Sequence, residues 1–361
     1  YRLTKKMIYY LVTKNISQID ELIKELEDLS ERSEEDTIYT NMPHPKFCAA
    51  SLQRFVTSVF DIANEHILDQ DIADQLSIWL CQERGRFLSN AAQNLNIPLV
   101  KITTELNKFV NIPSEELCIS PEEYMGIRVA LIRRFLTLNL SFINIARKYI
   151  TVRDFSELVK NIIGPAQGSG RLGGKSSGIL LAYKILEAAS NKYPELKIKV
   201  PRSWYITSDS LHEFIQYNAM EEFANLKYMN IGEIKHGYPY LQQIFKNSAF
   251  PPEITKGLAG IIDQTENIPL IIRSSSLLED SFEATFAGKY KSLFLPNQGA
   301  RAERLNDMID AIAEVYASTY GPDPIQYRRE KGLLDFNEEM GTLIQEVVGT
   351  KAGKYFFPTF A

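Results

Sequence analysis

An eleven-residue stretch of glycines, serines and cations, GSGRLGGKSSG at residues 168–178, constrains the fold of this chain most strongly. It offers almost no apolar surface, so core packing cannot hold it. The next segment, ILLAYKILEAAS, has apolar side chains at helical spacing. Glycines let backbone N–H groups crowd around an anion, and a helix that starts directly afterwards adds its positive end. Lys175 brings a full charge to that first turn, so the stretch predicts an anion-binding loop.

Three interpretations of this loop stay open from its residues alone. Gly168, Gly170 and Gly173 satisfy the dinucleotide pattern G-x-G-x-x-G, but the preceding segment is more helical than strand-like. The residues SGRLGGKS nearly match the phosphate-loop pattern G-x-x-x-x-G-K-[ST], with Ser169 where the first glycine belongs. A flexible surface linker that happens to carry a lysine is the third interpretation.

The first 150 residues are predicted to be mostly helical. Apolar residues from Ile16 to Leu29 recur at three- and four-residue steps, with Ser17 as the N-cap. The pattern between 46 and 95 is helical, with breaks expected near Asp69 and Gly85. The residues SPEE at 120–123 form a capping-box signature, which predicts a helix running to about residue 149. Within it, Arg133 and Arg134 are interpreted as surface cations or ion-pair partners.

After residue 150, apolar runs typical of strands alternate with helical patterns. The predicted strands are IPLIIRSSS, MGTLIQEVV and one or two strands in KIKVPRSWYIT around Pro201. FAGKYKSLFL is interpreted as a turn that leads into a strand, and IKHGY as a turn. Strands interleaved with helices indicate an α/β or α+β domain. We divide the chain into an N-terminal strand or helix with an acidic linker (1–36), a helical domain (37–155) and this strand-containing domain (156–361).

Composition excludes several classes of protein. The net charge is −5, so general electrostatic binding of nucleic acid is not expected. No apolar run approaches the length of a membrane span. Cys48, Cys81 and Cys118 are widely spaced and odd in number, which favours free thiols in a reducing cytoplasm over a disulfide framework or a zinc site. We therefore expect a cytoplasmic protein without nucleic-acid or membrane partners; a homodimer is possible.

A second stretch, PLIIRSSSLLEDSFEATFAGKYKS, strengthens the prediction of a phosphate site. Arg273 stands at the end of an apolar run, and guanidinium binds phosphate with paired hydrogen bonds. The following serines add hydroxyl and backbone donors. Further on, Gly288, two lysines and Ser292 are typical of a loop that closes over phosphates. The alternative for Arg273 is an ion pair with Glu279 or Asp280.

Five motifs in order resemble the phosphoenolpyruvate synthase and pyruvate phosphate dikinase family, over residues ~168–350. GGKSSGILLAYKI resembles its G-G-K-x-x-x-L opening, and VPRSWYIT its V-P-x-G-F strand. IIRSSSLLEDSFEATFAGKYKSLF resembles its V-R-S-S-A…F-A-G segment. YASTYGPDPIQYRREKG and MGTLIQEVV resemble its A-x-x-Y-R segment and its M-A-V-V-V-Q strand. The resemblance implies an α+β chain, in which an all-helical N-terminal domain precedes an incomplete nucleotide-binding domain of the ATP-grasp type.

The resemblance also implies roles for individual residues. Lys175 and Arg273 would contact the phosphates of ATP and carry the catalysis, with Mg²⁺ as the accompanying metal and its ligands unknown. Gln345 would reach the nucleotide near its adenine–ribose end. Two positions depart from the family: Ser292 stands where threonine is usual, and Ser203 stands where glycine is usual, which we expect to affect packing rather than chemistry. The full set of expected nucleotide-binding residues is Gly173, Gly174, Lys175, Arg273, Ser274, Gly288, Ser292 and Gln345, with Gly288 and Ser292 in a lid loop.

In this family, a separate domain carries the histidine that accepts phosphate, and a barrel binds pyruvate. None of His44, His66, His212 and His236 stands in the glycine-rich setting expected for that histidine. We therefore expect an ATP-binding portion of a longer phosphotransferase, which by itself binds ATP weakly and turns it over negligibly. The alternatives are a related dikinase that phosphorylates an antibiotic or a glucan, and a non-catalytic nucleotide sensor.

Overall fold

The computed structural model describes residues 2–30, 49–94, 96–112, 119–190, 193, 198, 200–276, 278, 288–336, 338–353 and 355–358. The acidic linker, Cys48, Cys118 and His44 lie outside these residues. The chain divides into two compact units: residues 1–85 with 113–120, and residues 86–112 with 121–361. The domain boundaries given above stay a proposal.

The first unit is built from amphipathic helices. Its core contains Met7, Leu11, Ile19, Val59 and Trp79, all nearly inaccessible to solvent. The expected break near Asp69 is present between two helices, whereas the break near Gly85 was wrong, because one helix runs through it. The helices are α1 (Arg2–Thr13), α2 (Ser17–Ser30), α3 (Ala49–His66) and α4 (Asp69–Gln93), the last of which continues into the second unit.

The second unit opens with four further helices. The single helix expected from residue 121 to 149 was wrong, because the side chain of Asn139 accepts a hydrogen bond from the backbone N–H of Phe142 (3.1 Å) and starts a new helix. Arg134 was also misassigned. It is fully buried and donates to the carbonyls of Asn94 and Ile97, whereas Arg133 is exposed. These helices are α5 (Leu99–Val110), α6 (Pro121–Phe135), α7 (Leu140–Tyr149) and α8 (Val152–Leu158).

A five-stranded mixed sheet follows, in the order β1-β2-β5-β3-β4. The pair β1–β2 is parallel, and the other three pairs are antiparallel. The strands are β1 (Ile162–Ile163), β2 (Ser203–Ile206), β3 (Leu270–Ser276), β4 (Ser292–Leu295) and β5 (Met340–Glu346). The prediction of the α+β class is confirmed.

Helices and a hairpin complete the second unit. They are α9 (Gly174–Ser190), α10 (Asp209–Tyr217), α11 (Ile231–Asn247), α12 (Pro252–Gln264), α13 (Arg301–Ser318), α14 (Pro322–Glu330), β6 (Gly349–Ala352) and β7 (Tyr355–Pro358). The turn expected at IKHGY was wrong: it lies inside α11, where the ring of His236 contacts the carbonyl of Gly232 (2.7 Å). Among the described residues, no helix has both the length and the hydropathy of a membrane span.

The two faces of the sheet carry different residues. Side chains alternate along a strand, and directly paired residues point to the same side. Ile272, Met340 and Ile344 therefore share the face that packs in the main core. Arg273, Ser275 and Gln345 alternate with them and belong to the other face. Arg273 and Gln345 are thus brought onto one surface, whereas Ser274 belongs to the core face.

Candidate functional site

The glycine loop lies directly on strand β3. An added Cβ at Gly173 would stand 1.7 Å from the carbonyl oxygen of Ser275, and Gly173 has φ +83°. The Ser275 hydroxyl donates to the carbonyl of Leu172 (3.0 Å) and accepts from the backbone N–H of Ser176 (3.1 Å). Only glycine can occupy position 173, since both the contact and the backbone conformation exclude a side chain. This contact fixes the start of α9 against the sheet.

The first half of the loop is held by a carboxylate of the protein itself. Asp209, in the first turn of α10, accepts from the backbone N–H groups of Ser169 (2.9 Å) and Gly170 (3.1 Å). It also accepts from the hydroxyl of Ser169 (2.9 Å). Those two amides are therefore occupied and are not open to an external anion. Sequence analysis missed Asp209; the available signal was an acidic residue two positions after the YIT segment.

Two further carboxylates lie near Asp209. Burial raises the pKa of Glu213, and the neighbouring Glu253 and Asp209 raise it further. Glu253 accepts from the backbone N–H of Ala166 (3.0 Å). Within the described part of the chain, no three histidine, cysteine, aspartate or glutamate side chains are grouped so that they could hold a metal ion.

The first turn of α9 is the part of the loop that can receive an anion. Among the described residues, no acceptor faces the backbone N–H groups of Gly173 and Gly174. The ammonium group of Lys175 donates to the hydroxyl of Ser274 on β3 (3.1 Å). Helix dipole, free amides and the Lys175 charge thus converge where the loop meets β3.

Arg273 stands beside Ser274 in the same strand. Its register partners are Ser292 on β4 and Leu343 on β5. Among the described residues, none forms an ion pair with its half-buried guanidinium. Glu279 and Asp280, the alternative partners, lie outside the described residues. Gly173 contacts Ser275 on the face of β3 that also carries Arg273 and its partner Ser292, whereas Ser274, which Lys175 contacts, belongs to the other face.

Arg171, the other cation of the loop, has a different role. Its guanidinium pairs with the carboxylate of Glu339 (3.1 Å), and its side chain is only 11% exposed. This pair ties the loop to the residue directly before β5. Arg171 is therefore engaged within the protein, and Lys175 is the loop cation that lies against β3.

Gln345 lies one strand away on the same face. Its amide nitrogen donates to the hydroxyl of Ser203, its register partner on β2 (3.0 Å). The serine hydroxyl therefore contacts a candidate ligand-binding residue, and the expectation that Ser203 affects packing rather than chemistry stays a prediction. Burial raises the pKa of the adjacent Tyr205, and its interaction with Ser203 opposes that shift.

The expected lid loop is described only at its C-terminal end. Gly288 has φ +73° in a turn before β4, and an added Cβ would meet nothing within 4 Å. No contact among the described residues places it beside Lys175 or Arg273. Ser292 begins β4 rather than lying in the loop. Residues 279–287 lie outside the described residues.

Sequence analysis missed a buried ionic cluster at the end of β3. The carboxylate of Glu338, just before β5, accepts from the hydroxyls of Ser276 and Tyr290, the latter at 2.8 Å. It also pairs with Arg328 of α14 at 3.5 Å, and the two side chains are 5% and 7% exposed. Ser276 ends β3 and Tyr290 precedes β4. One carboxylate therefore fixes the end of β3 relative to three other segments.

A known protein family matches the part of the chain that carries the candidate site. The family described as "pyruvate phosphate dikinase, AMP/ATP-binding domain" matches residues 169–356, more than half of the chain. The chain belongs to this family. The match begins inside the glycine loop and extends past β5, so it includes every candidate residue named above. The expected resemblance is confirmed.

Curated relatives are similar over parts of their length. A phosphoenolpyruvate synthase from Aquifex aeolicus is 23% identical over 170 residues, covering 44% of this chain and 19% of the relative. One from Neisseria meningitidis is 23% identical over 194 residues, covering 51% and 23%. A probable phosphoenolpyruvate synthase from Methanothermobacter thermautotrophicus is 26% identical over 222 residues, covering 58% and 29%. The aligned part therefore spans less than a third of each of these relatives.

Proposed function

We propose that this chain binds ATP with the phosphates at the N-terminus of α9, between Lys175 and Arg273. The observation that carries the proposal is the contact of the start of α9 with Ser275, which lies two residues after Arg273 on the same face of β3. Two cations, the open amides of Gly173 and Gly174 and a helix N-terminus suit a polyphosphate. Gln345, on the same face of the sheet, would contact the nucleoside.

The geometry suits phosphoryl transfer because that chemistry depends mainly on positioning and charge stabilisation. Arg273 can hold two phosphate oxygens with its fixed pair of donors, whereas Lys175 acts as a point charge. Asp209 and Ser275 hold the loop in place before the ligand arrives. A loop that is already ordered loses less conformational entropy on binding.

Magnesium enters this proposal bound to the nucleotide. The described residues offer no carboxylate cluster for it, so Mg²⁺ would be held mainly by the phosphates, whose charge it neutralises. Lys175 and Arg273 would bind the remaining phosphate oxygens.

We further propose that the phosphate moves from ATP to a histidine on a separate domain and then to pyruvate. The curated relatives named above are phosphoenolpyruvate synthases, which favours pyruvate over an antibiotic or a glucan as the final acceptor. The described histidines, His66, His212 and His236, lie on exposed helical positions outside the site. The scattered cysteines favour the cytoplasm as the location.

Replacing Arg273 with lysine is the experiment that tests the phosphate clamp. The substitution keeps the charge and removes the paired donors, so we expect ATP affinity to fall at least about tenfold. Isothermal titration calorimetry with Mg·ATP measures it. Arg301→Lys is the matched control, because Arg301 forms an exposed ion pair with Asp263 on the surface; its ATP affinity should equal that of the parent.

Two outcomes would contradict the clamp. If Arg273→Lys binds ATP as the parent does, the guanidinium geometry has no role in binding. If affinity is unchanged while the melting temperature falls, Arg273 is a structural ion-pair partner, as the alternative from the sequence states.

A further inference from the structure

The hydroxyl of Ser203 sets the orientation of the Gln345 carboxamide. Gln345 is 6% exposed, and its amide nitrogen donates to Ser203 Oγ at 3.0 Å. A serine hydroxyl has one proton, and Ser203 donates it to the carbonyl of Pro201 at 2.9 Å. Toward Gln345, Ser203 is therefore an acceptor, and the carboxamide must turn its NH₂ group to it.

The other end of the carboxamide is left for a ligand. Among the described residues, none donates to Gln345 Oε1, and this atom is not one of the buried polar atoms that lack a partner. It therefore keeps access to solvent as a hydrogen-bond acceptor. The direction of the amide follows from the Ser203–Pro201 hydrogen bond.

Gln345 lies within reach of a ligand whose phosphates contact Arg273. Leu343 is the register partner of Arg273, and Gln345 is two residues further along β5 on the same face. Two strand residues span about 6.6 Å. A nucleotide held at Arg273 can therefore extend along β5 and place a group beside Gln345 Oε1.

We propose that Ser203 is a specificity-determining residue, which makes Gln345 an acceptor for a donor group on the nucleoside. This inference rests on the proposed ATP site. The donor is either the exocyclic amine of the base or a ribose hydroxyl, because both present an N–H or O–H group. A ligand that presents a carbonyl at the same place meets the Gln345 carbonyl and is rejected. Without the Ser203 hydroxyl, the amide can rotate and accept either kind of ligand.

The test compares nucleotides across Ser203 variants by calorimetry. ATP, ITP, 2′-deoxy-ATP and 3′-deoxy-ATP are titrated into the parent protein, Ser203→Gly, Ser203→Ala and Ser203→Thr. ITP carries a carbonyl in place of the amine, and the deoxy compounds each lack one hydroxyl. In the parent, the nucleotide that lacks the relevant donor should bind about tenfold more weakly than ATP. Loss with ITP identifies the base amine, and loss with a deoxy compound identifies the ribose.

The variants decide whether Ser203 causes this discrimination. If the donor is the base amine, the preference for ATP over ITP should shrink to within about threefold in Ser203→Gly and Ser203→Ala, because the freed amide can also donate. If it is a ribose hydroxyl, the same variants should bind ATP more weakly, because the amide is no longer held in one orientation before the ligand binds, and the gap in affinity between ATP and the deoxy compound should narrow. Ser203→Thr keeps the hydroxyl and should behave as the parent, which also separates the effect from a loss of folding.

Failure of this inference is distinguishable from failure of the ATP site. A parent that binds ATP but shows the same affinities for all four nucleotides contradicts the inference alone. So does discrimination that persists unchanged in Ser203→Gly and Ser203→Ala. A parent that binds none of the nucleotides overturns the ATP site and this inference together.

Discussion

Replacing Gly173 with alanine is expected to destabilise the second unit by at least about 3 kcal/mol. An added Cβ would stand 1.7 Å from the carbonyl oxygen of Ser275, and the position has φ +83°. The left-handed conformation alone costs a residue with a side chain about 1–2 kcal/mol. The clash with backbone adds to it, because strand β3 cannot move away as a flexible side chain could. Denaturant unfolding, followed by amide hydrogen exchange in β3 and β5, measures the loss.

Gly178→Ala provides the matched control for this prediction. Gly178 lies in α9, the helix that Gly173 directly precedes, and an added Cβ there would meet no atom within 4 Å. Alanine favours a helix by about 1 kcal/mol over glycine, so this variant should be neutral or slightly more stable than the parent. Equal stability of Gly173→Ala and Gly178→Ala would contradict the close contact between the glycine loop and β3.

Replacing Glu338 with alanine is expected to cost about 3–5 kcal/mol of unfolding free energy. The change removes the carboxylate that pairs with Arg328, and both side chains of this pair are nearly inaccessible to solvent. It also removes the common acceptor of Ser276 and Tyr290. Because Ser276 ends the strand that carries Arg273, ATP affinity should fall as well. Denaturant unfolding and calorimetry measure the two effects.

Asp263→Ala tests whether burial is the cause of that effect. Asp263 forms a two-point ion pair with Arg301, at 2.6 and 2.8 Å, but both side chains are more than half exposed. Exposed pairs contribute about 0–1 kcal/mol, so this variant should be close to the parent. If Glu338→Ala costs no more than Asp263→Ala, the cluster around Glu338 does not hold the end of β3.

The main elements of the second unit could be predicted from local patterns. Strand β3 contains the predicted apolar run and continues through the three serines, and α9 begins at Gly174 within the glycine-rich stretch. Local patterns failed where tertiary contacts decided the outcome. The segment IKHGYPY contains glycine and proline yet lies within α11, whose Leu241 and Phe245 pack into the main core. Asn139 interrupts what periodicity alone suggests is one helix.

The candidate cations were predicted from chemistry that is local to two motifs, and their role in binding stays a prediction. Lys175 and Arg273 were found from their neighbours in sequence, and the structure brings Lys175 to the residue beside Arg273. The residues that hold the site came from distant parts of the chain. Asp209 binds amides 40 and 39 positions away, and Ser203 pairs with Gln345 across 142 positions. A periodic pattern within a short window of sequence cannot predict contacts between residues so far apart.

Titration of this chain and its Lys175→Ala variant with Mg·ATP tests the central claim most directly. Lys175 lies in the first turn of α9, where its charge is expected to stabilise bound phosphate. We predict saturable binding of ATP by the parent and an affinity at least about tenfold lower in Lys175→Ala, with an unchanged melting temperature in the absence of nucleotide. Absence of ATP binding by the folded parent, or equal affinity in the two proteins, would contradict a phosphate site at the N-terminus of α9.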